Sequence, residues 1–384
     1  MHSLKFSRKG GILRFIVERK RTEKKERRTI MKKCLFFVLP LALSLVLSAC
    51  GNDDTASKTE PEPPQVEQPQ QPEQTEPAAE PEEQKETFKY TTPLTGMGTN
   101  DELPKRVIMV MVNNDPKARP QSGLDKADIV YEVLAEGSIT RFVGIYHSDK
   151  PKVIGPVRSI RSYYIDIGSG FDAIMVHAGG SPAALATLGT KGMASFNEIG
   201  RAGPYFWRES FRKAPHNLYT DLDKIWDGSQ KLGFRMEAEV PQLTFKDPEE
   251  EAKGTEAKNV EISYTSQYVV GYEYDSEQKL YKRITSGQAH KDLTTDEQLT
   301  AVNVMVLATP HKILDQAGRR DVNVFGPGKG YLFQQGKAQE ITWERKGGLI
   351  RAYIDGKEVQ MYPGNTWVNI IPSVPSLSEA VKFQ

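Results

Sequence analysis

Arg106-Val107-Ile108-Met109-Val110-Met111-Val112-Asn113 sets six apolar residues in a row between two polar ones. A strand with one wet face alternates apolar with polar residues, so this unbroken run predicts a strand buried on both faces. Asp128-Ile-Val-Tyr-Glu-Val-Leu134 and Arg141-Phe-Val-Gly-Ile-Tyr146 read as two more, with Pro116, Pro120 and Gly123 punctuating the turns between them. A helix is expected from Ser159 through Tyr164, a buried strand over Ala173-Ile-Met-Val-His177, and a second helix from Ala183 to Leu188. Strands alternating with helices make residues 88–247 an α/β domain.

Pro248 to Lys258 is charged and poor in apolar residues, and the texture changes beyond it. Val260–Tyr264, Val269–Tyr274, Leu280–Ile284, Val302–Leu307, Gly330–Phe333, Ala338–Trp343, Ile350–Ile354 and Thr366–Ile371 are short and β-rich, and Asp355-Gly356 is a hairpin turn signal. Residues 259–384 are therefore expected to form a mostly β domain, as a sandwich or a partly open barrel.

The other end of the chain gives its address. Met31-Lys32-Lys33 is a short basic region, followed by an apolar stretch from Cys34 to Ser48 that closes on Leu47-Ser48-Ala49-Cys50. The stretch is shorter than the roughly 20 residues that a bilayer-spanning helix needs. Residues 31–49 read as a lipoprotein signal peptide with Cys50 as the lipidated first residue of the mature chain, and the competing reading is an uncleaved anchor. A signal begins at its basic region, so Met31 is the expected start and residues 1–30 a mis-assigned leader; Lys25-Glu26-Arg27-Arg28 can be encoded by an all-purine run resembling a ribosome-binding site. From residue 50 to 87 the chain is a disordered Pro/Glu/Gln-rich tether, with seven prolines and no aromatic residue. It serves either solubility or as a spacer.

Cys34 leaves with the signal and Cys50 carries the lipid, so the mature chain has no disulfide, thiol nucleophile or cysteine metal site. Its stability rests on core burial, and roughly 300 residues suffice for two cores. Residues 1–49 hold 13 Lys/Arg and 3 Asp/Glu; without them 38 basic and 47 acidic side chains remain, a net charge of −9. The tether alone carries 11 acids against Lys58 and Lys85, so the folded part is near neutral and has no electrostatic footprint for nucleic acid.

Residues suited to chemistry gather between Gly155 and Tyr219. Gly155-Pro-Val-Arg158-Ser159-Ile-Arg161 puts two guanidinium groups at a loop-to-helix junction, placed either to hold a phosphate or carboxylate or to pair with acids such as Asp166 and Asp172. His177 ends a strand and runs into Gly179-Gly180-Ser181, where backbone can approach a ligand. The histidine reads first as a satisfied core residue, with a general base or a metal ligand as the alternatives. Ser181 is a conceivable nucleophile without the Gly-x-Ser-x-Gly frame. The third cluster is Trp207-Arg208-Glu209 with Arg212-Lys213-Ala214-Pro215-His216-Asn217-Leu218-Tyr219. There is no Walker loop, dinucleotide fingerprint, zincin helix or EF-hand spacing, so no metal or cofactor is expected. In the second half His290, Asp292 and Asn303 offer polar groups, and Gly326-Pro-Gly-Lys-Gly330 reads as a turn.

These strings resemble the YerB lipoprotein family of Gram-positive bacteria, built from two paired domains of unknown function. The resemblance is carried by Asn113-Asn114, Ala118-Arg-Pro-Gln-Ser-Gly-Leu124, Ala127-Asp-Ile-Val-Tyr-Glu132, Thr140-Arg-Phe142, Gly155-Pro-Val-Arg-Ser159 with Arg161, His177-Ala-Gly-Gly-Ser181 and Ala214-Pro-His-Asn-Leu-Tyr219. In the second half it is carried by His290-Lys-Asp292, Asn303-Val304 and Gly364-Asn-Thr-Trp367, while Ser138 stands where the pattern has glycine. The resemblance implies a lipid-anchored protein on the outer face of the cell membrane and brings no activity with it. The residues themselves lead to a polar cleft that binds an anionic or carbohydrate envelope ligand, with Arg158, Arg161, Gly179, Gly180, Ser181, Arg208, Asn217 and Tyr219 as ligand residues. Two alternatives stay open. One is a hydrolase or transferase with His177 and His216 as catalytic groups, and the other a scaffold that docks an envelope protein.

Overall fold

The structure is a computed structural model that describes residues 87–384. The expected leader, signal peptide, Cys50 and the tether as far as residue 86 lie outside those residues. The first half supplies strands β1 (Ile108–Asn113), β2 (Ile129–Glu136), β3 (Ile139–Tyr146), β4 (Ile174–His177) and β5 (Ser195–Asn197), with helices α1 (Ser162–Ser169), α2 (Pro182–Thr190) and α3 (Leu222–Lys231). The second supplies β6 (Asn259–Thr265), β7 (Tyr268–Asp275), β8 (Leu280–Thr285), β9 (Asn303–Thr309), β10 (Gly328–Gln334), β11 (Lys337–Lys346), β12 (Leu349–Ile354), β13 (Thr366–Pro372) and β14 (Val381–Phe383). An α/β first half followed by a mostly β second half is the expected class.

The second half, however, builds neither a sandwich nor a barrel of its own. β6, β7, β8 and β14 form one antiparallel sheet. β9 to β13 join the strands of the first half in a second, running in the order β12-β11-β10-β9-β13-β2-β3-β1-β4-β5. The seam is β13, parallel to β9 on one side and to β2 on the other, with Thr366 facing Ile129 and Ile370 facing Val133. Two hydrophobic cores result, divided by the faces of this sheet rather than by the halves of the chain. Ile108, Val110 and Val112 point to the core shared with Val130, Phe142, Ile262, Tyr272 and Trp367, whereas Met109 and Met111 point to the one shared with Tyr164, Ile165, Leu188, Leu307 and Trp343. The period of two in β1 thus has an apolar destination on either side.

Local chemistry sets the element ends. Ser181 Oγ accepts the Ala184 amide at 3.3 Å and Pro182 occupies the first turn of α2, where its missing N–H costs nothing. Asp355 (φ 50°) and Gly356 (φ 74°) are both left-handed, so the chain turns tightly and Lys357 faces Ile354 as the turn signal predicts. α1 begins at Ser162, three residues later than expected. The Ile160 amide donates to Gly179 O at 3.0 Å and the Ser181 amide to Ile160 O at 3.2 Å, which holds residue 160 extended beside the chain leaving β4.

Between the halves lies a buried ionic knot. Glu132 of β2 and Arg283 of β8 are both fully buried and meet at 2.5 Å. The other Glu132 oxygen accepts from Asn114 at 3.0 Å and from the hydroxyls of Thr140 and Tyr268 at 2.7 Å each. Arg283 lies over the rings of Trp367, Tyr272 and Phe142, donates to Tyr272 Oη, and reaches His290 Nδ1 at 3.2 Å. Burial is the largest single influence and opposes its charge, but the Glu132 carboxylate and the hydroxyls of Tyr272, Tyr268 and Tyr264 together outweigh it, and the Arg283 pKa is raised. His290 Nε2 continues to Gln121 Oε1 at 2.8 Å, and Asp292 accepts the Leu124 amide at 3.2 Å. Much of what makes the chain resemble its family in these strings is therefore a satisfied polar core that joins the two halves.

Candidate functional site

Gly155 to Ile160 is the segment on which the candidate residues converge. Asn113 N donates to Pro156 O at 2.8 Å, Arg158 N to Met111 O at 2.8 Å, Val157 N to Leu218 O at 2.7 Å, and Ala178 N to Arg158 O at 3.0 Å. The end of β1, the chain after β4 and the start of the Leu218–Tyr219 strand all dock on this one stretch. A side chain at Gly155 (φ 153°) would meet Leu218 O at 2.7 Å and Tyr219 Cδ1 at 2.8 Å. Gly155→Ala is thus expected to lower the unfolding free energy by about 2 kcal/mol, read as a shifted urea midpoint.

Arg158 comes close enough at this junction for its charge to act on His216. Arg158 is half-buried, and its guanidinium has no hydrogen-bond or ion-pair partner among the described residues. Burial lowers its pKa; Glu136 opposes that and Arg161 adds to it. His216 Nδ1 lies 3.0 Å from Asn113 Nδ2. Its pKa is lowered by burial first, with Asp115 opposing and the cations Arg158, Lys117 and Arg212 reinforcing. Arg161 is less free. It pairs with Glu136, which also takes Arg141 at 2.6 Å, so one carboxylate serves two guanidinium groups. The partner is Glu136 rather than Asp166 or Asp172, and Asp172 instead pairs with Arg106 and Arg235. Even so, the Nε atoms of Arg141 and Arg161 stay buried without a partner.

The other candidates have structural work. Arg208 spans Asn217 Oδ1 at 3.1 Å and Glu198 at 3.0 Å, while Asn217 Nδ2 donates to Glu209 O at 2.9 Å and Arg212 O at 3.2 Å, so this pair shapes the 209–217 loop. Tyr219 is buried, stacked on Trp207, and its hydroxyl accepts from Arg212 at 2.6 Å. His177 is fully buried, with Nδ1 donating to Gly179 O at 2.8 Å and Nε2 accepting from Ser195 Oγ at 2.8 Å. Burial pushes its pKa down to about 4, so near neutral pH it is an uncharged imidazole with both nitrogens engaged. That removes it from the groups able to meet a substrate. Gly179 and Gly180 leave room for side chains of the protein itself rather than for a ligand: added Cβ atoms would meet Ile199 at 2.8 Å and Ile160 at 2.9 Å. The Ser181 hydroxyl caps α2.

Sequence reasoning set Arg212 in one cluster with His216 but missed Asn113 as the partner of His216 and Lys117 and Asp115 as its charged surroundings. They lie about a hundred residues from His216 or on a loop without periodicity, so nothing in their spacing marks them. Asn113 alone had a signal, as the polar end of a buried strand.

Two family models match the chain, the N-terminal domain of the protein of unknown function DUF3048 over residues 94–235 and its C-terminal domain over residues 260–368. The chain is 40% identical over 294 residues to a Bacillus subtilis (strain 168) protein named "Putative lipoprotein YerB", covering 76% of this chain and 88% of the relative. It is also similar to the crystal structure of the YerB protein from Bacillus subtilis, with a TM-score of 0.71, 40% identity, 77% of this chain and all of that one covered. The chain therefore belongs to the YerB family of lipoproteins, whose two domains are described as of unknown function.

Proposed function

We propose that the chain is a cell-envelope lipoprotein, held to the outer face of the membrane by a lipid on Cys50, whose Arg158–His216 site binds an anionic group of an envelope polymer. The observation that carries this reading is the Arg158 guanidinium, partly withdrawn from water and left without an acidic partner. A half-buried guanidinium with no ion pair keeps its donors free for an anion. Lys117 and Arg212 add positive potential on the same side. A hydrolase or transferase finds less support, because His177 is occupied and the Ser181 hydroxyl is spent on a helix cap.

The test is calorimetry of the mature soluble domain with a glycerol-phosphate oligomer and with a neutral glycan fragment of similar size. The oligomer should bind and Arg158→Ala should weaken it roughly 10- to 100-fold, the value of a charge-assisted hydrogen bond. Equal binding of the neutral fragment, or an unchanged Arg158→Ala, overturns the reading. Cys50→Ala should leave the protein out of the membrane fraction and remove the lipid mass from its N-terminus.

A further inference from the structure

We propose that His216 meets the ligand of this site as a neutral hydrogen-bond donor, locked in its Nε2–H form by Asn113, so that the site recognises a fully ionised oxyanion of phosphate or sulfate type without a protonation switch. The inference rests on the anion-binding reading above and specifies how the ligand is held.

Asn113 is the terminal residue of β1 and almost fully buried. Its Oδ1 accepts the Asp115 amide at 3.1 Å, which fixes the orientation of the side-chain amide. Nδ2 must then be the atom 3.0 Å from His216 Nδ1. An amide nitrogen only donates, so Nδ1 accepts and the imidazole proton sits on Nε2. Protonating Nδ1 would set two N–H groups against each other, and turning the amide to relieve them would give up the Asp115 bond.

The charges around the ring press the same way. From the short helix at Pro116–Ala118 comes Lys117, with Asp115 at its cap; from the Gly155–Ile160 segment comes Arg158; from the 209–217 loop comes Arg212. Three cations stand against one carboxylate, so a second proton on His216 is disfavoured. The site therefore divides its labour: Arg158 supplies charge and His216 supplies direction. An oxyanion with several equivalent oxygens accepts from both at once, whether it is a free ion or a polymer phosphodiester.

Two measurements test this separately from the binding claim. Nitrogen-15 spectra of histidine-labelled protein should show the Nε2–H tautomer of His216 at pH 7.5, with Asn113→Leu letting the proton populate either nitrogen. An Nδ1–H or doubly protonated ring in the unsubstituted protein overturns the lock, whatever the site binds. Sulfate, which keeps its charge across the range, should bind with the same affinity within about twofold from pH 6.5 to 8.5. His216→Gln retains a neutral donor and should keep most of that affinity, whereas His216→Phe should lose roughly tenfold. If Gln falls as far as Phe, or affinity climbs steeply toward pH 6.5, His216 acts as a cation and the proposal fails. If the tautomer is as stated but neither sulfate nor a glycerol-phosphate oligomer binds, it is the anion-binding reading that fails. Parallel titrations with inorganic phosphate and the oligomer separate a free ion from a polymer as the source.

Discussion

Arg283→Met should lower the free energy of unfolding by about 3–5 kcal/mol, the usual cost of stranding one member of a buried ion pair. The loss comes less from the missing attraction than from what is left behind. Glu132 would be left fully buried without its guanidinium partner, its four hydrogen bonds reduced to three. The double replacement Glu132→Gln with Arg283→Met puts a neutral amide among the same donors and removes the stranded charge. It should therefore cost less than Arg283→Met alone, a non-additivity that a double-mutant cycle in urea reads directly. Two single effects that simply add would show that the pair contributes no coupling. Because β13 joins both halves in one sheet, they should unfold in one transition, and Arg283→Met, which leaves that seam intact, should not uncover a separately melting domain.

Acid should destabilise the protein from about pH 6.5 downward, and His177 carries a large share of that loss. Its folded pKa of about 4 lies below the ordinary value of 6.5. Between those two values the unfolded chain binds a proton that the folded one refuses, so stability is intact above pH 6.5, falls as pH drops, and stops falling near pH 4. A depression of that size corresponds to about 3 kcal/mol. His311, lowered to about 3, and His290 act in the same direction, each through burial first. Asp292 works against them: burial and the neighbouring Asp125 raise it to about 6, so its contribution is present at low pH and lost above 6. His177→Asn keeps a donor for Gly179 O without a titrating ring. The gap between its unfolding free energies at pH 7 and pH 4.5 should be smaller than that of the unsubstituted protein by roughly 2.5 kcal/mol. The same slope in both would show that His177 is not the acid-sensitive group.

Legibility in the sequence followed the range of the interaction. The β1 run was readable because its six apolar residues need only a partner on each face, and Asp355-Gly356 because a two-residue turn is decided by its own backbone preferences. The start of α1 was misplaced because residue 160 is held extended by Gly179 and Ser181, which no local pattern reports. The expected sandwich failed for the same reason on a larger scale: Thr366 pairs with Ile129, 237 residues earlier, and a parallel register of that separation leaves no periodic trace. In the candidate site, glycine, histidine and arginine were visible as residue types, but their roles depended on neighbours. His177 was open to base, metal-ligand and core readings until Ser195 and Gly179 O filled both its nitrogens, and Arg158 stood out only once no acid was found in hydrogen-bond or ion-pair contact with it.

β13 has a further consequence for how the molecule comes into being. Synthesis delivers β2 early and its neighbour β13 last but one among the strands, so for nearly the whole of its emergence the first half carries a bare edge of Ile129 to Glu136. Such an edge invites pairing with other chains. A nascent chain cut short before residue 366 should therefore aggregate rather than fold, which makes the last twentieth of the sequence the gatekeeper of solubility for everything before it.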